Sequence, residues 1–240
     1  MVVSAVTDIG LWRPAAYGGR MTDTVPDLTL DELRTALGPR IPRHAAFDGW
    51  GTAALDAAGA EIGLPPGRAA LAFPGGAVDM IDAWFAHIDT AMLEALPKER
   101  LAAMKIRERI TALIAMRLEL VDADREALRR ALTILAKPSN AARGIQFGWR
   151  AADTMWRAAG DVSTDFAHYT KRTTLAAVYA ATLMVFLDDE SDDFAATRGF
   201  LARRIDNVMR FEKLKAQMKP DADRYFSPAR FFGRLRYPAR

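Results

Sequence analysis

The chain contains no cysteine, which excludes disulfides, thiolate catalysis and cysteine-ligated zinc or iron–sulfur centres and suits a reducing compartment. No apolar stretch reaches the ~18–20 residues of a membrane span; the strongest candidate, Leu175 to Leu187, reads as a buried helix. The chain has no P-loop, Gly-x-Gly-x-x-Gly, Gly-x-Ser-x-Gly or Glu-x-x-His motif, which disfavours an enzyme. Histidine is scarce, at three residues. His87 beside Asp82 and Asp89 reads as a solvated helix face rather than a metal fragment. Asp165 and His168 read as a surface hydrogen bond rather than an acid–base pair. The run "DDESDD" lacks the glycine and spacing of a calcium loop. Neither metal nor cofactor is expected. An excess of one charge is also missing: 33 basic residues face 30 acidic ones, for a net +3, too balanced to imply nucleic acid. The first residues lack the apolar core of a secretory signal, so 1–28 read as a disordered leader, with Met21 an alternative start to Met1.

What is present is helix. Half of the residues are hydrophobic and about a quarter charged, the balance of an ordinary globular domain. Helical periodicity runs nearly throughout. The pattern predicts a region from Thr29 to about Ala46 broken by Pro39 and Pro42, then helices over Thr52–Ala60, Gly67–Phe73, Ala77–Leu96, Lys98–Val121, Ala123–Ala136 and Ala141–Ala159. A helix capped by Ser163 or Thr164 follows and runs to about Asp188, then a last one over Asp193–Met218. The fold class is all-α, with about nine to ten helices in one bundle. Its parts are 29–76, a helix-turn-helix subdomain; 77–219, the main helical domain; and 220–240, a basic tail.

Four features carry functional information. "TAALDAAGAEIGLPPGRAALAFPGG" has helix-turn-helix spacing and resembles the N-terminal domain of TetR-type regulators, with Phe73 closing the second helix. That helix offers one cation, Arg68, against Asp48, Asp56, Glu61 and Asp79, so the motif reads as degenerate and kept for packing; no nucleic acid is expected. The helix containing Leu175, Val178, Tyr179, Leu183, Met184, Phe186 and Leu187 is apolar all round, which places it centrally or at a subunit seam. Rich in Met and Trp, the central helices suit either a filled core or an apolar cavity. Finally, Tyr225, Phe226, Phe231, Phe232, Leu235 and Tyr237 interleave with arginines, a composition fitted to an anionic membrane boundary.

The stretch "GDVSTDFAHYTKRTTLAAVYAATLMVFLDDESDDFAATRGFLARRIDNVM", with "FDGW" at 47–50 and "MWRAAGD" at 155–161, resembles the TetR-like, lipid-binding accessory proteins of ubiquinone biosynthesis. The likeness is strong over about 150–210, looser over 44–150 and absent over 1–28. It implies a noncatalytic, homodimeric protein that holds isoprenoid or phospholipid in a pocket. That protein would present a prenyl quinone intermediate to the di-iron demethoxyubiquinone hydroxylase. The expected pocket residues are Trp84, Ile110, Leu113, Ile114, Met155, Trp156, Val178, Tyr179 and Met184. The expected docking patch is Asp165, His168, Tyr169 and Arg172, with His168 standing where relatives can have Trp. Phe231, Phe232, Arg234, Leu235 and Arg236 would touch the membrane. The implied location is cytoplasmic, peripheral at the inner membrane, or on the matrix side in a eukaryote. The alternative reading is a TetR-type regulator with a small apolar inducer.

Overall fold

The structure, a computed structural model, describes residues 28–164 and 166–218. Among them are ten α-helices, three short 3-10 turns and no strand. The helices are α1 (Leu30–Leu37), α2 (Ile41–Asp48), α3 (Thr52–Ala60), α4 (Ala77–Ala95), α5 (Lys98–Ala102), α6 (Ile106–Val121), α7 (Arg125–Leu135), α8 (Ala141–Ala158), α9 (Phe166–Leu187) and α10 (Ala195–Met218). Local chemistry explains several boundaries. Thr29 and Glu32 form a reciprocal capping box at the start of α1, satisfying donors the helix leaves open. Pro42 sits in the first turn of α2, where its missing N–H costs nothing.

The structure corrects two sequence expectations. Gly67–Phe73 is not an α-helix; only Ala69–Ala72 form a 3-10 turn. Pro65 and Pro66 remove two backbone donors, and Gly67 turns the chain at φ +76°. Lys98–Val121 is not one helix. Lys105 is extended, at φ −70° and ψ 155°, and its N–H donates to Glu108 Oε2 at 2.8 Å. Arg109 closes the other side of the break, donating to the carbonyls of Met104 and Ala102 at 2.9 and 3.2 Å. A long amphipathic pattern thus splits because side chains supply the bonds the interrupted backbone gives up.

The core is packed around α4. Trp84 is buried between Trp50 and Phe85, with ring centroids 5.5 Å from each, and Phe85 meets Phe147 edge-on at 6.0 Å. The Trp50 indole N–H donates to the Ala127 carbonyl at 3.0 Å, so the "FDGW" turn anchors the first three helices on α7. Ile81, Ile88, Met92, Leu113, Ile114 and Met155 fill the interior, each worth about 1.5–3 kcal/mol of burial. A charge network ties α4 to its neighbours: Asp89 accepts from buried Arg117 of α6 and lies 3.3 Å from Arg150 Nε of α8. Arg150 also donates to Asp82 at 2.5 Å. The carboxylates beside His87 are therefore spent on arginines. Among the described residues no group of three or more metal-binding side chains converges.

The start of α10 is fixed by Asp189. Its buried carboxylate accepts from the Ser191 and Thr197 hydroxyls, both at 2.5 Å, and from their N–H groups at 2.9 and 2.7 Å. Those hydrogen bonds, first from Ser191 and then Thr197, hold the carboxyl well below the usual range.

Removing Asp89 leaves Arg117 charged, buried and without that partner. Asp89→Ala is expected to lower unfolding stability by about 3–5 kcal/mol, read as a fall in the denaturant midpoint; a change below 1 kcal/mol contradicts the network's role.

Candidate functional site

The site is built on the connection between α8 and α9. Gly160 leaves α8 at φ +92°; its N–H donates to the Arg157 carbonyl at 3.0 Å and the Asp161 N–H to the Trp156 carbonyl at 2.9 Å. This paired C-terminal motif needs a left-handed residue, hence the glycine. It brings Asp161 under α9, where its carboxylate accepts from Lys171 Nζ at 2.6 Å, Ser163 Oγ at 2.7 Å and Arg172 Nη1 at 3.1 Å. Arg172 also donates to Asp153 of α8 at 2.5 Å and to the His168 carbonyl at 3.1 Å. Burial by itself would raise the Asp161 carboxyl; the hydrogen bonds from Lys171, Ser163 and Arg172 outweigh it and hold the group at about 2. Ser163, expected as a helix cap, instead spends its hydroxyl on Asp161, while its carbonyl accepts from His168 Nδ1 at 2.9 Å. The helix begins at Phe166.

Beside this connection lies a cavity of about 470 Å³, walled by α6, α9, α10 and residues 160–162. Its apolar lining comes from Ile106, Ile110, Trp156, Val162, Leu175, Val178, Ile205, Val208 and Met209. The polar lining includes Arg107, which pairs with Asp206 across to α10 at 2.5 Å, and the Asp161–Lys171 pair. A volume in this range is typical of small-molecule sites, ~300–1,000 Å³.

On the other side of the same connection is a shallower groove of about 380 Å³, bordered by Arg157, Asp161 to Thr164, His168, Tyr169 and Arg172. Trp149, His168 and Tyr169 form an aromatic cluster there, with centroids 5.2 to 6.5 Å apart. Tyr169 is 60% exposed, Phe166 80% and Val162 90%. Asp161 and Val162 line both the cavity and the groove. The 160–164 connection is one wall shared by two recesses.

Only part of the expected pocket lies on the cavity. Ile110, Trp156 and Val178 line it. Trp84, Leu113, Ile114 and Met155 do not: they are buried in the solid core around α4, fully packed by other side chains. Tyr179 is buried against Arg117, whose guanidinium lies 5.1 Å over its ring. Met184, expected inside, is exposed, because α9 is not covered on all sides. Phe166, Tyr169, Thr173, Ala177, Ala180 and Met184 form an exposed stripe down it. In the expected docking patch, His168, Tyr169 and Arg172 all border the groove, with Arg172 only 2% exposed. Its guanidinium pairs internally with Asp153 and Asp161 and so braces the surface from below. Asp165 lies outside the described residues, as do the leader 1–27 and the tail with Phe231, Phe232, Arg234, Leu235 and Arg236. The sequence reading missed Ile106, Leu175, Ile205 and Val208 as lining, and Trp149 as the ring packed against His168 and Tyr169. Trp149 shares a helix face with Trp156 seven residues on, a signal that was available.

The fold and the cavity define a class: an all-helical protein of TetR-like architecture with an apolar cavity. A crystal structure of a TetR transcriptional regulator from Nitrosomonas europaea superposes with a TM-score of 0.60 over 75% of this chain and 99% of that one, at 23% identity. Within the sequence, residues 141–212 match the COQ9 family model. The human protein "Ubiquinone biosynthesis protein COQ9, mitochondrial" is 29% identical over 194 residues, covering 78% of this chain and 59% of its own length. The rat protein of that name is 41% identical over 90 residues, 38% of this chain and 29% of its own. A Dictyostelium discoideum relative, a probable coq9, is 25% identical over 190 residues, 77% of this chain and 62% of its own. The chain thus spans less than two-thirds of these relatives' length. The segment matched by the family model contains every groove residue and every cavity residue except Ile106, Arg107 and Ile110.

The Asp161 carboxyl is held below its ordinary value in the folded state. Its contribution to stability is therefore present above about pH 4 and lost as pH falls toward 2. Asp161→Asn is expected to lower Tm at neutral pH and to flatten the decline between pH 4 and 2. An unchanged acid limb in differential scanning calorimetry contradicts the linkage.

Proposed function

We propose that this chain is a noncatalytic accessory protein of ubiquinone biosynthesis that holds a prenylated quinone intermediate in the cavity between α6, α9 and α10 and presents it to a hydroxylase docked over the adjoining groove. The observation that carries the reading is the single wall, Asp161 to Thr164, between an apolar chamber and an exposed aromatic surface. A long isoprenoid tail gains about 0.8 kcal/mol per methylene on leaving water, and the lining offers it an almost continuous apolar surface. Tyr169 and Trp149 belong to residue types enriched at interface hot spots. The match to COQ9 proteins, named for ubiquinone biosynthesis and as mitochondrial, supports the pathway. Among the described residues no helix is long and apolar enough to cross a membrane, so contact with the bilayer is assigned to peripheral segments, the basic aromatic tail among them.

The exposed stripe on α9 is assigned to a second copy of the chain. Its residues recur every three or four positions and are small or apolar at Ala177, Ala180 and Met184, the pattern of a helix-pairing seam. The DNA-reading alternative is weakened by the 3-10 turn at Ala69–Ala72, which is too short to enter a major groove.

Protein purified from a quinone-making host is expected to carry prenyl lipid, identified by mass spectrometry of solvent extracts; lipid-free protein from such a host overturns the carrier reading. Tyr169→Ala is expected to weaken hydroxylase binding at least tenfold with Tm unchanged. An equal affinity removes Tyr169 from the contact, and a parallel fall in Tm makes it structural.

A further inference from the structure

We infer that Lys171 is the polar handle of the cavity, donating one hydrogen bond to a single ring oxygen on the head of a prenylated ligand whose chain occupies the apolar lining. The inference rests on the proposed lipid-binding function and adds to it the atom that orients the ligand.

Among the described residues, Asp153 and Asp161 pair with Arg157, Lys171 and Arg172 in one network of ion pairs. Arg172 is buried and committed: its donors go to Asp153, Asp161 and the His168 carbonyl. Arg157 is largely exposed and pairs with Asp153 at 2.8 Å, outside the cavity lining. Lys171 is the member of the three cations that lines the cavity.

Donor counting sets the chemistry of the head. An ammonium has three N–H donors. One goes to Asp161 at 2.6 Å and a second reaches Ser163 Oγ at a long 3.5 Å. One remains for a ligand. A single donor matches a carbonyl or hydroxyl oxygen; a phosphate head presents several charged oxygens and is better met by a cluster or an arginine fork. The other cation of the lining, Arg107, is drawn to Asp206. Position agrees with chemistry. Lys171 stands 5.5 Å over the Trp156 ring, whose indole N–H donates to the Lys171 carbonyl at 3.0 Å. The donor is thus fixed beside a flat aromatic surface that suits a ring-shaped head. Because Asp161 also borders the groove, a head held at Lys171 lies next to the shared wall, while the chain runs along Ile110, Leu175, Val178 and Ile205.

The test compares two probes on the full-length protein: a 1,4-benzoquinone carrying a two-isoprene tail, and a prenyl hydrocarbon of matched length without oxygen. Binding is read by quenching of tryptophan fluorescence and confirmed by equilibrium partition. Lys171→Met is expected to weaken quinone binding about tenfold and to leave hydrocarbon binding within twofold; Lys171→Arg is expected to keep most of the quinone affinity. Thermal melts of both variants separate loss of fold from loss of the donor. If Lys171→Met weakens both probes equally, or neither, the handle is overturned while the lipid chamber stands. Tighter binding of phosphatidylglycerol than of the quinone, lost in Lys171→Met, assigns the donor to a phosphate and overturns the single-oxygen reading. Failure of the unaltered protein to bind either probe overturns the chamber itself and the handle with it.

Discussion

The buried guanidinium of Arg172 is the constraint on which the rest of the site depends. It sits on the first part of α9, almost wholly out of water, and joins Asp153 of α8 to Asp161 of the connection. A charge so placed is tolerable only if its donors are met by fixed acceptors, because unpaired it would cost several kcal/mol. The acceptors are fixed for separate reasons: Asp153 by the body of α8, Asp161 by the glycine-dependent end of that helix. The result is a connection of irregular backbone tied to α8 and α9 by ion pairs. It has two faces, one turned to the cavity and one to the groove.

The cavity stays open for a related reason. Its lining is dominated by Ile106, Ile110, Val162, Thr170, Thr174, Val178, Ile205 and Val208, β-branched side chains with little rotamer freedom in a helix. They are too short and too stiff to close a gap that Met or Leu would reach across. Most flexible and bulky apolar residues lie elsewhere, packed around Trp84, with Trp156, Leu175 and Met209 the exceptions on the lining. The chain thus largely segregates two kinds of apolar residue: shape-filling ones make the core around α4, and stiff ones dominate the walls. α10 completes the enclosure, set in place by the hydrogen bonds of Asp189 at its start and the Arg107–Asp206 pair farther along.

That segregation explains what was legible beforehand. Helix existence and most boundaries followed from periodicity and caps; Thr52–Ala60 and Ala77–Leu96 differ from the structure by a residue at most. The splitting of Lys98–Val121 was not legible, because it depends on Arg109 and Glu108 serving the backbone across the break. For the Met- and Trp-rich helices the sequence left a filled core and an apolar cavity both open: Met155 and Trp84 fill the core, while Ile110, Trp156 and Val178 line the cavity. Arg172 was read as exposed because a charged residue at the polar start of a helix normally is. Its burial required two carboxylates from outside α9, a tertiary fact that spacing does not carry. Met184 differs in the opposite direction: an all-round apolar helix implies a place at the centre or at a subunit seam, and the side of α9 that carries Met184 is exposed.

The likeness to a transcriptional regulator concerns the arrangement of helices and not the chemistry at their ends. A DNA-reading helix needs length, free donors and positive charge. Here its place is held by Ala69–Ala72, with Ala69, Ala72 and Phe73 turned into the core. The nearby polar groups are occupied in holding that turn: Arg34 donates to the Ala72 carbonyl at 2.6 Å, and Asp56 accepts from the Gly67 N–H at 2.9 Å. Arg34 thus serves as a bracket and Asp56 as a cap for the turn. The N-terminal helices buttress the bundle that contains the cavity through Trp50, whose indole N–H donates to the Ala127 carbonyl.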